Sequence, residues 1–247
     1  MTDNSAVLEE FATVWQIIES NARKYKNMPA IREKAFGIWQ TWTWHDYAQN
    51  ANQLALGLIE IGMKDNCPVA IVGTNRQQLY SAMFSIQMAG GIPVPMYQDA
   101  VAEEMLHVLQ HSEAKIIIAE DQEQVDKIIE LGDKLPKIEK IVFLEERSMR
   151  PYESGDIISV RNVLEKGKNA SSDAIKELER LKAAQTSDTT GVILYTSGTT
   201  GKSKGVVLSH KNILTAASGA ILFDNLKPGM EVVSYLPMAW VGDFIFS

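Results

Sequence analysis

The chain has 247 residues, of which 45% are hydrophobic and 22% are charged, and its formal net charge is −7 at pH 7. These values are typical of a globular protein with a sizeable core, and they exclude disordered and collagen-like chains. The acidic balance argues against a nucleic-acid-binding surface, which needs clustered Lys and Arg. No apolar stretch reaches the ~18–20 residues of a transmembrane segment.

The chain contains one cysteine, Cys67. A single cysteine cannot close an intramolecular disulfide, so the sequence favours a reducing compartment. We therefore expect a cytoplasmic protein, and peripheral contact with a membrane stays an open alternative.

The first quarter of the sequence predicts two helices separated by two strands. Apolar residues recur at helical spacing in the first segment, and Thr43 is a favourable N-cap for the second helix. Gly62 is a favourable residue just past the end of that helix. The predicted elements are a helix at 11–18, strands at 30–32 and 36–42, and a helix from 43 to about 61.

Between residues 69 and 144 the sequence alternates between short apolar strands and amphipathic helices. Runs such as Val69-Ala-Ile-Val72 are continuously apolar, which is typical of parallel strands that are covered on both faces. Repeated strand–helix units predict an α/β protein with a doubly wound, mostly parallel sheet and flanking helices. The predicted strands are 69–72, 92–95, 115–119 and 138–144, and the predicted helices are 76–89, 100–110 and 121–131.

Residues 145–187 differ in composition from the preceding region. Glu, Lys, Arg and Ser dominate this segment, and its helical periodicity is weak except near 159–166 and 173–184. We interpret it as a charged surface connection and not as a domain boundary.

A polar loop between two apolar strands is the most informative segment. Residues 196–204 read Thr-Ser-Gly-Thr-Thr-Gly-Lys-Ser-Lys, and apolar runs precede and follow them. Glycines let backbone N–H groups approach a ligand, hydroxyls can donate to phosphate oxygens or bind Mg²⁺, and lysine supplies a compact cation. Such an array of donors is typical of a polyphosphate site. A plain polar turn is the alternative, although turn chemistry does not require the two lysines.

The same loop comes within one residue of the G-x-x-x-x-G-K-[ST] pattern of phosphate-loop NTPases. That pattern continues directly into a helix. Here Gly205 and the apolar residues after it predict a strand, and the next helix begins only after Ser209. Thr196 also stands where the first glycine should be. We therefore predict strand–loop–strand, and we keep a phosphate-loop NTPase and a non-catalytic nucleotide-binding module as alternatives.

The segment Y-T-S-G-T-T-G-K-S-K-G-V, from Tyr195 to Val206, resembles the phosphate-binding signature of the AMP-forming acyl-adenylating enzymes. It departs from the usual pattern at Ser203, where a proline normally precedes the lysine. The likeness extends from about residue 12 to the end and is greatest to long-chain fatty acid–CoA ligases. Near the end, Leu236-Pro-Met-Ala-Trp-Val-Gly-Asp243 is similar to a family element that usually carries His and Glu where this chain has Trp240 and Asp243.

The resemblance implies an ATP-dependent ligase that adenylates a carboxylate, here a long-chain fatty acid, and transfers it to coenzyme A. Lys204 is the implied catalytic cation on the β- and γ-phosphates, Thr196 an implied Mg²⁺ contact, and Trp240 a wall of the acyl or adenine pocket. The four histidines lack metal-ligand spacing and are expected to be structural or exposed. The implied ATP-binding residues are Thr196, Ser197, Gly198, Thr199, Thr200, Gly201 and Lys204.

The resemblance also implies that residues 1–247 form an incomplete N-terminal AMP-binding domain, with its phosphate-loop hairpin at 191–208. The rest of the large domain and a C-terminal lid would then lie outside this chain. We expect such a fragment to be inactive alone. We also expect it to self-associate, because cut sheets expose apolar faces and unpaired edges.

Overall fold

The computed structural model describes residues 10–135, 138–152, 155–196 and 202–246. The helices within these ranges are α1 (Val14–Lys24), α2 (Trp44–Glu60), α3 (Gln77–Met88), α4 (Ala102–Ser112), α5 (Gln122–Leu131), α6 (Val160–Lys168), α7 (Ser172–Ala184), α8 (His210–Phe223) and α9 (Val241–Phe246). The strands are β1 (Pro29–Ala35), β2 (Ile38–Thr43), β3 (Pro68–Val72), β4 (Ile92–Met96), β5 (Ile116–Ala119), β6 (Lys140–Phe143), β7 (Ile157–Ser159), β8 (Thr190–Thr196) and β9 (Lys204–Ser209).

Five parallel strands form the central sheet, in the order β4-β3-β5-β6-β7. Helices α2 and α3 contribute to the core on one face of this sheet, and α4 and α5 contribute to the core on the other face. The prediction of a doubly wound, mostly parallel α/β sheet is therefore confirmed. The winding changes direction at β3, so the carboxyl ends of β3 and β5 meet where ligands of such folds commonly bind.

Strands β3, β4 and β5 are apolar at every position because both of their faces are buried. In β3, Val69 and Ile71 belong to the first core, whereas Ala70 and Val72 belong to the second. Successive side chains of a strand point to opposite faces, so a sheet covered on both sides needs a continuous apolar run.

Helix α2 begins as the sequence predicts. The Thr43 hydroxyl accepts from the backbone N–H of Asp46, and the Asp46 carboxylate accepts from the backbone N–H of Thr43 at 2.9 Å. This reciprocal arrangement satisfies two amides that a helix N-terminus would otherwise leave unpaired. The helix ends at Glu60, and Gly62 follows with φ of +100°.

The first predicted strand pair is confirmed with shifted limits. Strands β1 and β2 form an antiparallel hairpin, and its turn consists of Phe36 and Gly37, both with positive φ. The prediction of a strand starting at residue 36 was therefore wrong by two residues. Phe36 was assigned to the strand because it is apolar, although it occupies the turn, a position at which an aromatic residue is unusual.

Residues 145–187 contribute to the core more than the sequence predicts. Strand β7 pairs with β6 at the edge of the sheet, and the side chains of Val163 and Leu178 are buried against α2 and its neighbours. Helices α2 and α6 touch through Gly57 and Gly167, where even a Cβ atom would overlap the opposing backbone. The interpretation as a surface connection was wrong, because the charged residues cover only the outer faces of packed helices.

Strand β8 lies beside β4, and the Gln87 side-chain amide donates to the carbonyl of Gly191 at 2.7 Å. Strand β9 pairs antiparallel with β8, and α8 follows. Residues 224–240 then form no helix or strand before α9 begins. No helix within the described ranges is long and apolar enough to cross a membrane.

Candidate functional site

The loop predicted to carry the chemistry emerges from the ends of β8 and β9. Thr196 and Lys204 are directly opposite each other in the strand register, and both side chains are exposed. A hydroxyl and an ammonium group therefore lie at the mouth of the loop. The predicted ligands between them lie outside the described residues; these are Ser197, Gly198, Thr199, Thr200 and Gly201.

The structural context of this loop decides between two predictions. Strand β9 begins at Lys204, and the next helix, α8, begins only at His210. The Ser209 hydroxyl caps that helix by accepting from the backbone N–H of Asn212 at 3.2 Å. A phosphate-loop NTPase needs a helix that starts at the loop itself. The NTPase alternative is therefore wrong for this chain.

The stem of the loop packs against α4. The Tyr195 ring lies against Gly205, where an added Cβ would approach the ring to 3.3 Å. On its other side, the Tyr195 hydroxyl lies 2.7 Å from Nδ1 of His111. Nε2 of His107 lies 2.8 Å from the backbone carbonyl of Ser203.

These two histidines were expected to be structural or exposed, and their contact with the loop was missed. Their spacing of four residues places both on one face of a helix. The four-residue spacing could have indicated that the two side chains act together. The neighbouring sequence, however, does not indicate which element that face of α4 contacts.

An apolar cavity of about 360 Å³ opens beside Thr196. Its walls include Leu194 and Val206 of the hairpin, and the ring of Trp240 closes it from the C-terminal segment. Trp240 is 49% exposed, so this side chain is not a core residue. The cavity suits a flat or aliphatic apolar group because few polar atoms line it. Its lining residues are Tyr97, Leu194, Tyr195, Thr196, Val206, Leu208, Ala239, Trp240, Val241 and Gly242.

A second cavity, of about 530 Å³, lies on the other side of Tyr97 and Trp240. It is more polar, with Thr74, Asn75 and Asp99 among its lining residues. Burial raises the pKa of Tyr97, and a hydrogen bond with Trp240 opposes that shift. Tyr97 and Trp240 thus form a shared wall between an apolar and a polar compartment.

A buried hydrogen-bond network anchors the segment that carries Trp240. Tyr80 of α3 donates its hydroxyl to the Asp243 carboxylate at 2.9 Å, and Ser234 donates to the same carboxylate at 2.7 Å. The side chain of Asn75 donates to the Leu236 carbonyl at 2.8 Å. Burial raises the pKa of Asp243, whereas the hydrogen bonds from Ser234 and Tyr80 lower it.

A charged cluster lies at the carboxyl ends of β3 and β5, and the sequence analysis did not single it out. Nε of Arg76 lies 2.6 Å from the Glu120 carboxylate, and its Nη1 lies 2.9 Å from that of Glu33. Thr74 donates its hydroxyl to Glu120 at 3.0 Å. Burial alone would raise the pKa of Glu120, but the hydrogen bonds from Thr74 and Arg76 lower it. Because two carboxylates already occupy Arg76, this cluster braces the β1–β2 hairpin and is poorly suited to bind phosphate.

The described residues contain no group of three or more His, Cys, Asp or Glu side chains that could hold a metal ion. Mg²⁺ that binds together with a nucleotide is commonly held by phosphate oxygens and waters, with few protein ligands.

Fold and site together define an α/β domain in which a hydroxyl-, glycine- and lysine-containing loop joins two antiparallel strands beside a parallel sheet. Residues 18–247 match the sequence profile of the family described as "AMP-binding enzyme". The chain belongs to this family.

Two curated relatives show how far the likeness extends. A long-chain-fatty-acid–CoA ligase of Xenopus laevis is 29% identical over 93% of this chain, and one of Mus musculus is 30% identical over 93%. The match covers 31% of the first relative and 34% of the second. The chain thus spans about a third of the length of these relatives.

Solved structures share the fold. A crystal structure of a putative long-chain-fatty-acid CoA ligase from Rhodopseudomonas palustris superposes with a TM-score of 0.75 at 20% identity, over 94% of this chain and 53% of that one. A fatty acyl-adenylate ligase from L. pneumophila, in complex with acyl adenylate and pyrophosphate, gives 0.71 at 19% identity, over 95% and 38%. At these identities the likeness concerns the fold alone.

Proposed function

We propose that this chain is the N-terminal part of the AMP-binding domain of an ATP-dependent long-chain fatty acid–CoA ligase. The observation that carries the proposal is the register of the β8–β9 hairpin, which puts Thr196 and Lys204 face to face at the mouth of a glycine-rich loop. Membership of the AMP-binding enzyme family and the ligase names of the curated relatives support it.

In the proposed reaction, a carboxylate oxygen of the fatty acid attacks the α-phosphorus of ATP. The bond to the bridging oxygen breaks, pyrophosphate leaves, and an acyl-adenylate remains. The thiol of coenzyme A then attacks the acyl carbonyl and loses its proton to water. The bond from that carbonyl to the AMP oxygen breaks, which leaves the thioester and free AMP. Charge accumulates on the departing pyrophosphate, so fixed donors around it lower the barrier, each by about 3 kcal/mol.

The loop supplies those donors. We propose that Lys204 is the catalytic cation on the β- and γ-phosphates and that Thr196 donates its hydroxyl beside it. Ser197, Gly198, Thr199, Thr200 and Gly201 would contribute hydroxyl and backbone N–H groups between them. Mg²⁺, coordinated mainly by the phosphates of ATP, would have the Thr196 hydroxyl as a protein contact.

Trp240 is the proposed wall of the acyl or adenine pocket. Its ring lines the apolar cavity beside Thr196, which the proposed phosphate loop also borders. The adenine base and a fatty chain both suit such a wall, because each offers a large apolar surface to an aromatic ring.

We infer that the remaining part of the domain and a C-terminal lid belong to the same protein and that residues 1–247 are inactive without them. The chain spans only about a third of its relatives, which supports this division. Exposed apolar side chains such as Val207, Phe223 and Val233 would face the missing part and would promote self-association in its absence. The single thiol, Cys67, fits a reducing cytoplasm, and the proposed substrate fits peripheral contact with a membrane.

The test compares two lysines of the same loop in the complete protein. Lys204→Ala should weaken ATP-dependent pyrophosphate exchange about 10- to 100-fold, the change expected when a charged hydrogen bond to phosphate is lost. Lys202→Ala is the matched control and should stay within about 3-fold of the parent protein. An unchanged ATP affinity in Lys204→Ala would favour a non-catalytic nucleotide-binding module. Measuring thioester formation with a panel of fatty acids of different chain length would identify the substrate.

A further inference from the structure

Two histidines of α4 contact the two sides of the phosphate loop. His107 and His111 are one turn apart on the helix, and their ring centroids are 5.7 Å apart. Both rings are nearly perpendicular to the ring of Tyr195, at interplanar angles of 89° and 87°. The three rings therefore form one packed cluster beneath the loop stem.

The hydrogen bonds of this cluster end on residues adjacent to the proposed phosphate ligands. The carbonyl of Ser203 can only accept, so Nε2 of His107 carries the hydrogen and donates it at 2.8 Å. This fixes the peptide that leads into Lys204. Nδ1 of His111 pairs with the Tyr195 hydroxyl at 2.7 Å, which fixes the residue that precedes Thr196.

The loop needs such restraints for a physical reason. It contains two glycines and ends on Ser203, whose backbone dihedrals are not locked by a ring. A donor array binds an anion tightly only when it is ordered before the ligand arrives, because ordering it on binding subtracts from the affinity. The strand pair orders Thr196 and Lys204, and the hydrogen bond from His107 adds a restraint on the peptide between Ser203 and Lys204.

We propose that His107 and His111 are positioning residues that hold the two ends of the phosphate loop in the conformation that binds ATP. This role rests on the proposed function, because the loop that the two histidines order is the one proposed to bind ATP. Neither histidine touches the nucleotide; His107 acts through the Ser203 carbonyl, and His111 acts through Tyr195.

Paired amide substitutions test the proposal without removing polarity. The side-chain nitrogen of Gln reaches about as far as Nε2 of histidine, whereas the amide of Asn reaches only about as far as Nδ1. His107→Gln should therefore preserve the contact with Ser203, and His107→Asn should lose it. At the other position the order reverses, so His111→Asn should preserve the contact with Tyr195 and His111→Gln should lose it.

Amide hydrogen exchange on the 247-residue chain reads out the loop directly. In His107→Asn, the amides of residues 202–206 should exchange about 5- to 10-fold faster than in His107→Gln, which corresponds to the loss of one hydrogen bond. In the complete protein, His107→Asn should raise KM for ATP by a similar factor and change kcat by less than about 2-fold. His45→Asn, an exposed histidine of α2, is the control for the substitution itself.

The outcomes separate the two proposals. If Asn and Gln behave alike at both positions, the histidines only fill space and the positioning role is overturned. If kcat falls as much as kcat/KM, the histidines act in the reaction step, which also overturns it. If exchange follows the expected order while the chain and the complete protein bind no ATP, the loop restraint stands and the proposed function fails.

Discussion

The five-stranded sheet and the β8–β9 hairpin differ in how completely they cover their apolar side chains. In the sheet, Val72 of β3 and Ile117 of β5 have no exposed surface. In the hairpin, β8 is largely buried, but β9 leaves Val206 41% and Val207 59% exposed on its two faces. The same residue types thus have different environments within one chain.

This difference shows which region covers its own apolar side chains. The sheet has helices on both faces, whereas β9 and the segment that follows α8 present apolar groups that no described residue covers. Strand β8 packs into the two cores through Val192, Leu194 and Tyr195, whereas β9 is held mainly by its pairing with β8 and by polar contacts such as His107 to Ser203. Regions with fewer buried contacts open at lower free-energy cost, and binding loops are commonly drawn from them.

The largest effect is expected from the closest packing in the sheet body. At Gly57, an added Cβ would lie 2.1 Å from the backbone carbonyl oxygen of Val163, so helices α2 and α6 would have to separate. Gly57→Ala should lower the free energy of unfolding by about 3 kcal/mol, as overpacking against a rigid backbone does. Urea denaturation of the chain measures this loss.

Gly219→Ala is the matched control, because beyond the neighbouring backbone of α8 nothing lies within 4 Å of the added Cβ. Alanine favours a helix over glycine, so this variant should gain roughly 0.5–1 kcal/mol. Equal losses in the two variants would contradict the packing argument.

The junction between the two regions should make stability depend on pH. His210 is buried at the start of α8, and its Nδ1 accepts from the backbone N–H of Val14 at 3.3 Å. Its Nε2 is buried without a hydrogen-bond partner among the described residues. Burial lowers the pKa of His210 from 6.5 to about 4.

The unfolded chain therefore binds one more proton than the folded chain between those two pH values. Stability is unaffected by His210 above pH 6.5 and falls as the pH drops toward about 4, by up to about 3 kcal/mol. His210→Asn keeps an acceptor for the Val14 amide and removes the titration. Unfolding free energies at a series of pH values should differ in slope between the two proteins, and parallel curves would refute the assignment.

The smallest effect on stability is expected at the exposed face of β9. Val207→Thr replaces a methyl by a hydroxyl of the same shape, and the side chain already contacts water. The free energy of unfolding should change by less than about 0.5 kcal/mol. The same substitution at Val192, which is fully buried in β8, should cost about 1–3 kcal/mol.

Val207→Thr should nevertheless reduce self-association of the chain, which analytical ultracentrifugation measures over a range of concentrations. The apolar area that drives association is smaller, whereas the fold is unchanged. If the unmodified chain is monomeric at all concentrations, the exposed apolar surface does not drive self-association.

Elements that depend on neighbouring residues could be predicted from the sequence. Thr43 predicted the start of α2, and the apolar run at 69–72 predicted a buried parallel strand. The valines after Gly205 predicted the second strand of the hairpin. Capping, alternation and turn chemistry are decided within a few residues, so one sequence contains them.

Elements that depend on distant residues could not be predicted. Strand β7 has three residues, and only its pairing with β6 distinguishes it from a loop. Likewise, the role of His107 depends on the carbonyl of Ser203, 96 positions away in the chain. The exposure of Trp240 depends on which elements pack around it.

The sequence by itself determined the α/β class, the strand–loop–strand context and the chemical character of the loop, because periodicity and side-chain chemistry are local properties. Only the tertiary structure decided which side chains meet: Thr196 with Lys204, α4 with the loop stem, and Trp240 with the cavity beside them. Contacts between residues far apart in the chain arise from packing of whole elements, and no local pattern in the sequence encodes them.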